Sequence, residues 1–153
     1  MLTIKITPLK AEDILYVIEN GVREVQLKAT PDKDMAQLAK ESEESGLCIT
    51  GWVDGKVIGV GGIKILWEGV GEVWALFTSY KKSKGAYKCI RDGLEKLIED
   101  NKLRRIQGYG RIGFPQSHIL FKHLGFKPEG IMRKYTPDGV DVIMYARIED
   151  GTN

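Results

Sequence analysis

Residues Gly71–Tyr87 read GEVWALFTSYKKSKGAY, and this stretch decides the fold. The run Val73-Trp74-Ala75-Leu76-Phe77-Thr78 is apolar and strand-like. It breaks into a short basic loop, Lys81-Lys82-Ser83-Lys84-Gly85, which opens into an amphipathic helix. Such a helix start gathers backbone N–H groups for which the helix has no acceptor, at the positive end of its dipole. The lysines around the turn add further positive charge, so the expected ligand is a phosphorylated molecule.

Working outward, the helix from about Gly85 to Asn101 sets Cys89, Ile90, Gly93, Leu94, Leu97 and Ile98 on one face. Lys88, Arg91, Asp92, Glu95 and Lys96 fall on the other. Upstream, Leu47–Val53 and Val57–Leu66 are strand runs around Asp54-Gly55-Lys56, where Asp-Gly signals a hairpin turn. Trp67-Glu68-Gly69 turns the chain again. Alternation of Leu2, Ile4 and Ile6 gives a first strand ending at Pro8. The segment Ala11–Ala39 is helical in character, punctuated at Gly21 and Pro31, and Asp32–Ser45 carries a second helix. Beyond the long helix, Arg104–Arg111 reads as a strand and Ser117–Leu124 as a short helix closed by Gly125. Phe126–Tyr135 and Val140–Ile148 form a closing antiparallel pair around Pro137-Asp138-Gly139. With no internal repeat or linker, the sequence reads as a single domain over residues 1–153.

The 153 residues, 42% hydrophobic and 29% charged, suffice for a core built without disulfides or metals. A net charge of +2 does not by itself imply a nucleic-acid partner. The cations Lys81, Lys82, Lys84, Lys88 and Arg91, with Lys102, Arg104 and Arg105, are matched by acidic residues across the chain. No stacking platform accompanies them, so nucleic acid is not expected. Cys48 and Cys89 form no CxxC pair and read as buried thiols. Two histidines and two cysteines without ligand spacing support no metal site. The N-terminus lacks the apolar core of a signal peptide, and no run is long enough to span a bilayer. The expected location is cytoplasmic, with no membrane partner.

Four segments carry a resemblance. They are the hairpin with Val57-Ile58-Gly59-Val60-Gly61-Gly62, the strand-loop-helix at 72–98, Ile119-Leu120-Phe121-Lys122-His123-Leu124-Gly125-Phe126, and Met132-Arg133-Lys134-Tyr135 before Asp138-Gly139 and Val142-Ile143-Met144. In this order, over nearly the whole chain, they resemble the GNAT superfamily of N-acetyltransferases. The resemblance implies an α/β (α+β) fold: a mixed, mostly antiparallel sheet of about six to seven strands flanked by about four helices. It implies acetyl-coenzyme A as co-substrate, its pantetheine arm held by the fourth strand at Phe77 and Thr78 and by a diverging fifth strand. The pyrophosphate would lie on Lys82, Ser83, Lys84, Gly85 and Ala86, largely on backbone N–H groups. A backbone N–H near Phe77 or Thr78 would stabilise the oxyanion. Relatives of this fold also pair as homodimers, and Val142–Ala146 could pair across subunits. Two positions depart from the family pattern: Tyr87 is bulky where a small residue is usual, and Phe121 stands where a tyrosine often acts as acid.

Acetyl transfer from a thioester to an amine requires a base for the amine, stabilisation of the oxyanion, and benefits from a proton for the leaving thiolate. Glu72, at the start of the fourth strand, is the best placed base, with Glu68 as a weaker substitute. Tyr109, between Gly108 and Gly110 on the fifth strand, is the acid candidate in place of Phe121. His118 and His123 bracket the late helix and offer imidazoles. Glu72 reads equally as a strand-edge charge in water or a partner for a lysine, and Tyr109, His118 and His123 are residues more often used for packing, capping or surface than for chemistry. Arg111 is either a ligand for an anion or a surface arginine, and Trp67 either packs or borders an acceptor pocket. The reaction so read moves an acetyl group to a primary amine of a small molecule or protein. The alternative is a catalytically inactive binding or structural protein on the same fold, of a divergent, phage-type kind, with Tyr87 and Phe121 as the signs of lost activity.

Overall fold

A computed structural model describes residues 3–22, 34–78 and 84–149. The elements, in order, are β1 (Ile4–Pro8), α1 (Ala11–Asn20), α2 (Met35–Ser45), β2 (Cys48–Val53), β3 (Lys56–Trp67) and β4 (Val70–Phe77). They continue with α3 (Lys84–Asp100), β5 (Arg105–Arg111), α4 (Pro115–His123), β6 (Lys127–Met132) and β7 (Val142–Ile148). The seven strands form one sheet in the order β1-β2-β3-β4-β5-β7-β6. The mixed, mostly antiparallel sheet and four described helices are those expected.

Local chemistry explains most boundaries. Asp54 and Gly55 both take positive φ, 49° and 78°, the pair of conformations a two-residue turn between twisted strands demands. Asp34 caps α2, its Oδ1 accepting from the Gln37 N–H at 3.0 Å. In α1 the Asp13 carboxylate reaches back to the Lys10 N–H at 3.0 Å. The same oxygen accepts from the buried Thr50 hydroxyl at 2.8 Å, tying α1 to β2. Pro115 opens α4, where its missing N–H costs no helical bond.

By contacts the chain divides into two units, Met1–Ile63 with Trp74–Asp100, and Lys64–Val73 with Asn101–Asn153. The first has a core of Leu9, Ile14, Val17, Ala39, Cys48 and Val60, with Trp74 and Leu76 packed against it. In α3, Cys89, Gly93, Leu94, Leu97 and Ile98 are buried while Lys88, Arg91, Asp92, Glu95 and Lys96 are exposed, following the predicted faces. The second unit buries Leu103, Ile106, Phe126, Val142, Tyr145 and Ala146.

Here the topology corrects one expectation. Val142–Ala146 cannot pair with a second subunit, because β7 is bonded to β5 on one side and to β6 on the other. Both rows of backbone hydrogen-bonding groups are thereby occupied.

Candidate active site

The parallel pairing of β4 with β5 runs over three positions, Val70↔Arg105, Gly71↔Ile106 and Glu72↔Gln107. Residues paired across strands project to the same face, and successive residues alternate. Glu72 therefore shares a face with Gln107 and, two residues on, with Tyr109. Burial follows that period: Ile106, Gly108 and Gly110 are buried, whereas Arg105, Gln107 and Tyr109 are half-buried. The Tyr109 hydroxyl donates to Glu72 Oε2 across 3.4 Å. The two catalytic candidates are thus brought together, although 37 residues separate them.

A third group joins them. The Tyr135 ring stands edge-on to Tyr109, with centroids 5.1 Å apart and planes at 71°. Burial first, then a hydrogen bond with the Tyr135 side chain and the charge of Glu72, pushes the Tyr109 hydroxyl far above the usual tyrosine range. At neutral pH it is a fixed hydrogen-bond donor. Sequence reading assigned Tyr135 to the closing hairpin without a role. No local signal marks it, since β6 ends at Met132 and the residue reaches Tyr109 only through the hairpin's return.

The opposite face of β5 explains the other candidates. A Cβ at Gly108 would lie 3.0 Å from the Phe121 ring, and one at Gly110 would lie 2.8 Å from the His118 ring. Both α4 side chains thus pack on the side away from Tyr109. Phe121 stacks on buried Tyr145, centroids 4.7 Å apart and planes at 13°. It is a packing residue here. His118 is held at both ring nitrogens: Nδ1 lies 2.7 Å from the Tyr145 hydroxyl and Nε2 lies 2.9 Å from the Arg111 carbonyl. A carbonyl only accepts, so Nε2 carries the proton and donates, and in the neutral ring Nδ1 accepts from the Tyr145 hydroxyl. His123, at the end of α4, is exposed.

Arg111 is not the surface arginine that one reading of the sequence made it. It is 7% exposed, and its guanidinium binds both oxygens of Asp138, Nη1 to Oδ1 at 2.8 Å and Nη2 to Oδ2. Arg104 and Arg105, two of the cations weighed for nucleic acid, are also engaged. Arg104 donates to the Glu68 carbonyl at 3.0 Å, while Arg105 makes a two-pronged bond to Glu129 at 2.7 and 3.1 Å. Glu68 itself is exposed in the β3–β4 turn. Trp67, 62% exposed, does not pack as a hairpin-end tryptophan would.

The expected coenzyme A contacts lie in the first unit. Thr78 donates its N–H to the Ile58 carbonyl at 3.0 Å, and its hydroxyl donates to the Val57 and Ile58 carbonyls at 3.0 and 3.2 Å. Its N–H faces β3 and is excluded as the oxyanion donor. By the two-residue alternation, the N–H groups of Ala75 and Phe77 point to the other edge of β4. The Phe77 carbonyl accepts from the Val22 N–H at 3.0 Å. Gly85 and Ala86 occupy the first turn of α3, at the positive end of the helix dipole, which favours an anion. Tyr87, the bulky departure, lies under the Arg91 guanidinium, 5.9 Å from carbon to ring centroid, within cation–π range. Lys82, Ser83 and the Lys84 side chain lie outside the described residues. Among the described residues no three His, Cys, Asp or Glu side chains gather to hold a metal, and no helix is long and apolar enough to cross a membrane.

The fold matches solved acetyltransferase structures. Ribosomal-protein-S5-alanine acetyltransferase from Vibrio fischeri superposes with a TM-score of 0.74 at 18% identity, over 98% of this chain and 95% of that one. An acetyltransferase of the GNAT family from Bacillus anthracis gives 0.74 at 17% identity, over 95% and 94%. Mycobacterium smegmatis RimJ, in complex with CoA-disulfide, gives 0.72 at 16% identity, over 97% and 83%. The GNAT fold expected from the sequence is therefore shown; the phage-type detail finds no support in these structures. No protein-family profile and no curated protein matches the sequence.

Proposed function

We propose that the protein is an acetyl-coenzyme A-dependent N-acetyltransferase in which Glu72 is the base and Tyr109 its hydrogen-bonding partner. The observation that carries this reading is the Tyr109–Glu72 contact, set on one face where the parallel β4–β5 pairing ends, in a GNAT fold. Phe77, Lys82, Ser83, Lys84, Gly85 and Ala86 would hold the co-substrate, the last two through the first turn of α3. Bound there, acetyl-coenzyme A supplies an activated acetyl thioester, whose C–S bond breaks as the C–N bond to the amine forms. Glu72 takes the proton of the acceptor ammonium group on Oε1, while Tyr109 holds Oε2 and fixes the carboxylate plane. Because Tyr109 is so weak an acid, it donates a hydrogen bond, and the second proton, shed by the nitrogen once the C–N bond forms, passes through water to the leaving thiolate.

The acceptor is a primary amine of a small molecule or a protein. The name of the Vibrio fischeri neighbour places a protein alanine first in the panel to try. Two buried free thiols, Cys48 and Cys89, suit a reducing, cytoplasmic setting.

Thermal unfolding with saturating acetyl-coenzyme A tests the reading. Ligand at about 100 times its Kd adds about 2.7 kcal/mol. For a domain of this size that raises Tm by about 5–11 °C. Glu72→Gln should keep the shift while lowering kcat by about 100-fold or more. No shift at millimolar ligand would refute the enzyme reading and leave the alternative of a binding or structural protein on the same fold.

A further inference from the structure

We propose that Tyr135 is a positioning residue of this site, its ring standing edge-on to Tyr109 and keeping the Tyr109 hydroxyl on Glu72. The assignment rests on the functional reading above, since Glu72 and Tyr109 are the pair it serves. Its geometric basis lies in how the loop between β6 and β7 is fastened. Lys134 takes a φ of 52°, and its N–H donates to Asp141 Oδ1 at 2.8 Å. The N–H groups of Tyr135 and Thr136 donate to the Val140 carbonyl at 3.1 and 3.2 Å. The Thr136 hydroxyl donates to Asp138 Oδ1 at 2.7 Å and accepts from the Val140 N–H at 2.7 Å.

This braced loop is tied to the end of the strand that carries Tyr109. Buried Arg111, two residues beyond Tyr109, grips Asp138 with both guanidinium nitrogens. The next residue, Ile112, donates its N–H to the Asp141 carbonyl at 3.1 Å. The two ties fall at Asp138 and Asp141, so the loop bearing Tyr135 is anchored relative to β5 rather than left to swing. Tyr135 is 46% exposed, with one edge against Tyr109 and much of its surface open to solvent. An edge-on partner confines the Tyr109 ring to one orientation, which keeps a long 3.4 Å contact to Glu72 from being lost to rotation. The titratable groups that face Tyr109 among the described residues are Glu72 from β4 and Tyr135 from this loop. The upward displacement of the Tyr109 hydroxyl, in which both participate, accords with that arrangement.

The test uses the whole protein labelled with ring-carbon-13 tyrosine, with the Tyr109 resonance assigned by its absence in Tyr109→Phe. Tyr135→Ala should make Tyr109 titrate at lower pH than in the wild type, and Tyr135→Phe, which keeps the ring edge and its burial of Tyr109 but loses the hydroxyl, should recover part of the displacement. With acetyl-coenzyme A and an acetylated amine, Tyr135→Ala should lower kcat about tenfold or more with little change in KM for acetyl-coenzyme A, and Tyr135→Phe should restore it. A Tyr109 titration identical in wild type and Tyr135→Ala overturns the assignment, whether or not the protein transfers acetyl groups. A wild type without transferase activity, whose Tyr109 titration still moves in Tyr135→Ala, refutes the acetyl-transfer reading and leaves the positioning contact established.

Discussion

Gly62 and Gly93 make a matched pair for testing how closely the first unit is packed. A Cβ at Gly62 on β3 would stand 2.6 Å from the Leu47 carbonyl oxygen, 2.6 Å from Cys48 Sγ and 3.0 Å from Cys48 Cα. Two of those three atoms are backbone of the paired strand region, held by the ladder in which Cys48 faces Gly62. A Cβ at Gly93 in α3 would come closer still, 2.4 Å from Ile49 Cδ1, but that atom is the far end of a rotatable side chain. Favourable carbon contacts begin near 3.5 Å, so either alanine must displace its neighbour by several tenths of an ångström to about 1 Å. At Gly62 the sheet backbone has to move, an overpacking cost of about 1–3 kcal/mol. At Gly93 a rotamer change of about 0.5–1.5 kcal/mol is offset by about 0.8–1 kcal/mol gained when alanine replaces glycine inside a helix. Gly62→Ala should therefore lower Tm by about 2–12 °C while Gly93→Ala stays within about 3 °C of the wild type. Thermal unfolding followed by circular dichroism measures both. A Gly93→Ala variant that falls as far as Gly62→Ala, or a Gly62→Ala variant as stable as the wild type, would refute the distinction between backbone and side-chain neighbours.

Other outcomes follow from the second unit. His118→Phe removes both of its ring bonds, to Tyr145 and Arg111, and should cost about 1–3 kcal/mol in chemical denaturation. Because His118 packs on the face of β5 away from Tyr109, the folded variant should keep kcat, and a loss of kcat exceeding tenfold would contradict that placement. The Arg111 guanidinium, then the Thr136 hydroxyl, holds the Asp138 carboxyl well below the usual carboxylate range. A depressed native pKa contributes stability that is present above the unfolded value and lost as pH falls through the folded one. Wild-type Tm should consequently drop on acidification below about pH 4, and Asp138→Asn should be less stable at neutral pH with a flatter acid limb. Equal acid limbs in the two proteins would count against the pair.

Residues 88–98 show how far a sequence goes by itself. Their apolar spacing named every buried position of that helix, because the period of an α-helix is a local property that neighbours along the chain enforce. Asp54-Gly55 likewise fixed a hairpin, since only certain residues take positive φ cheaply. Order and type of the described elements were legible in the sequence, whereas Glu72 and Tyr109 were named separately, as base and acid candidates on the fourth and fifth strands, only after the family resemblance had been drawn.

What tertiary structure alone decided was which side of β5 each side chain occupies and what returns to meet it. The Arg111–Asp138 and His118–Tyr145 contacts each span 27 residues, and they engage side chains whose partners no local pattern names. Strand order did the rest. With β7 inserted between β5 and β6, the hairpin loop comes back to the end of β5 and carries Tyr135 to Tyr109. Periodicity along a chain records that a residue faces one side of a strand. Which strand lies beside it, and in what register, depends on contacts between distant segments, and no local pattern encodes them.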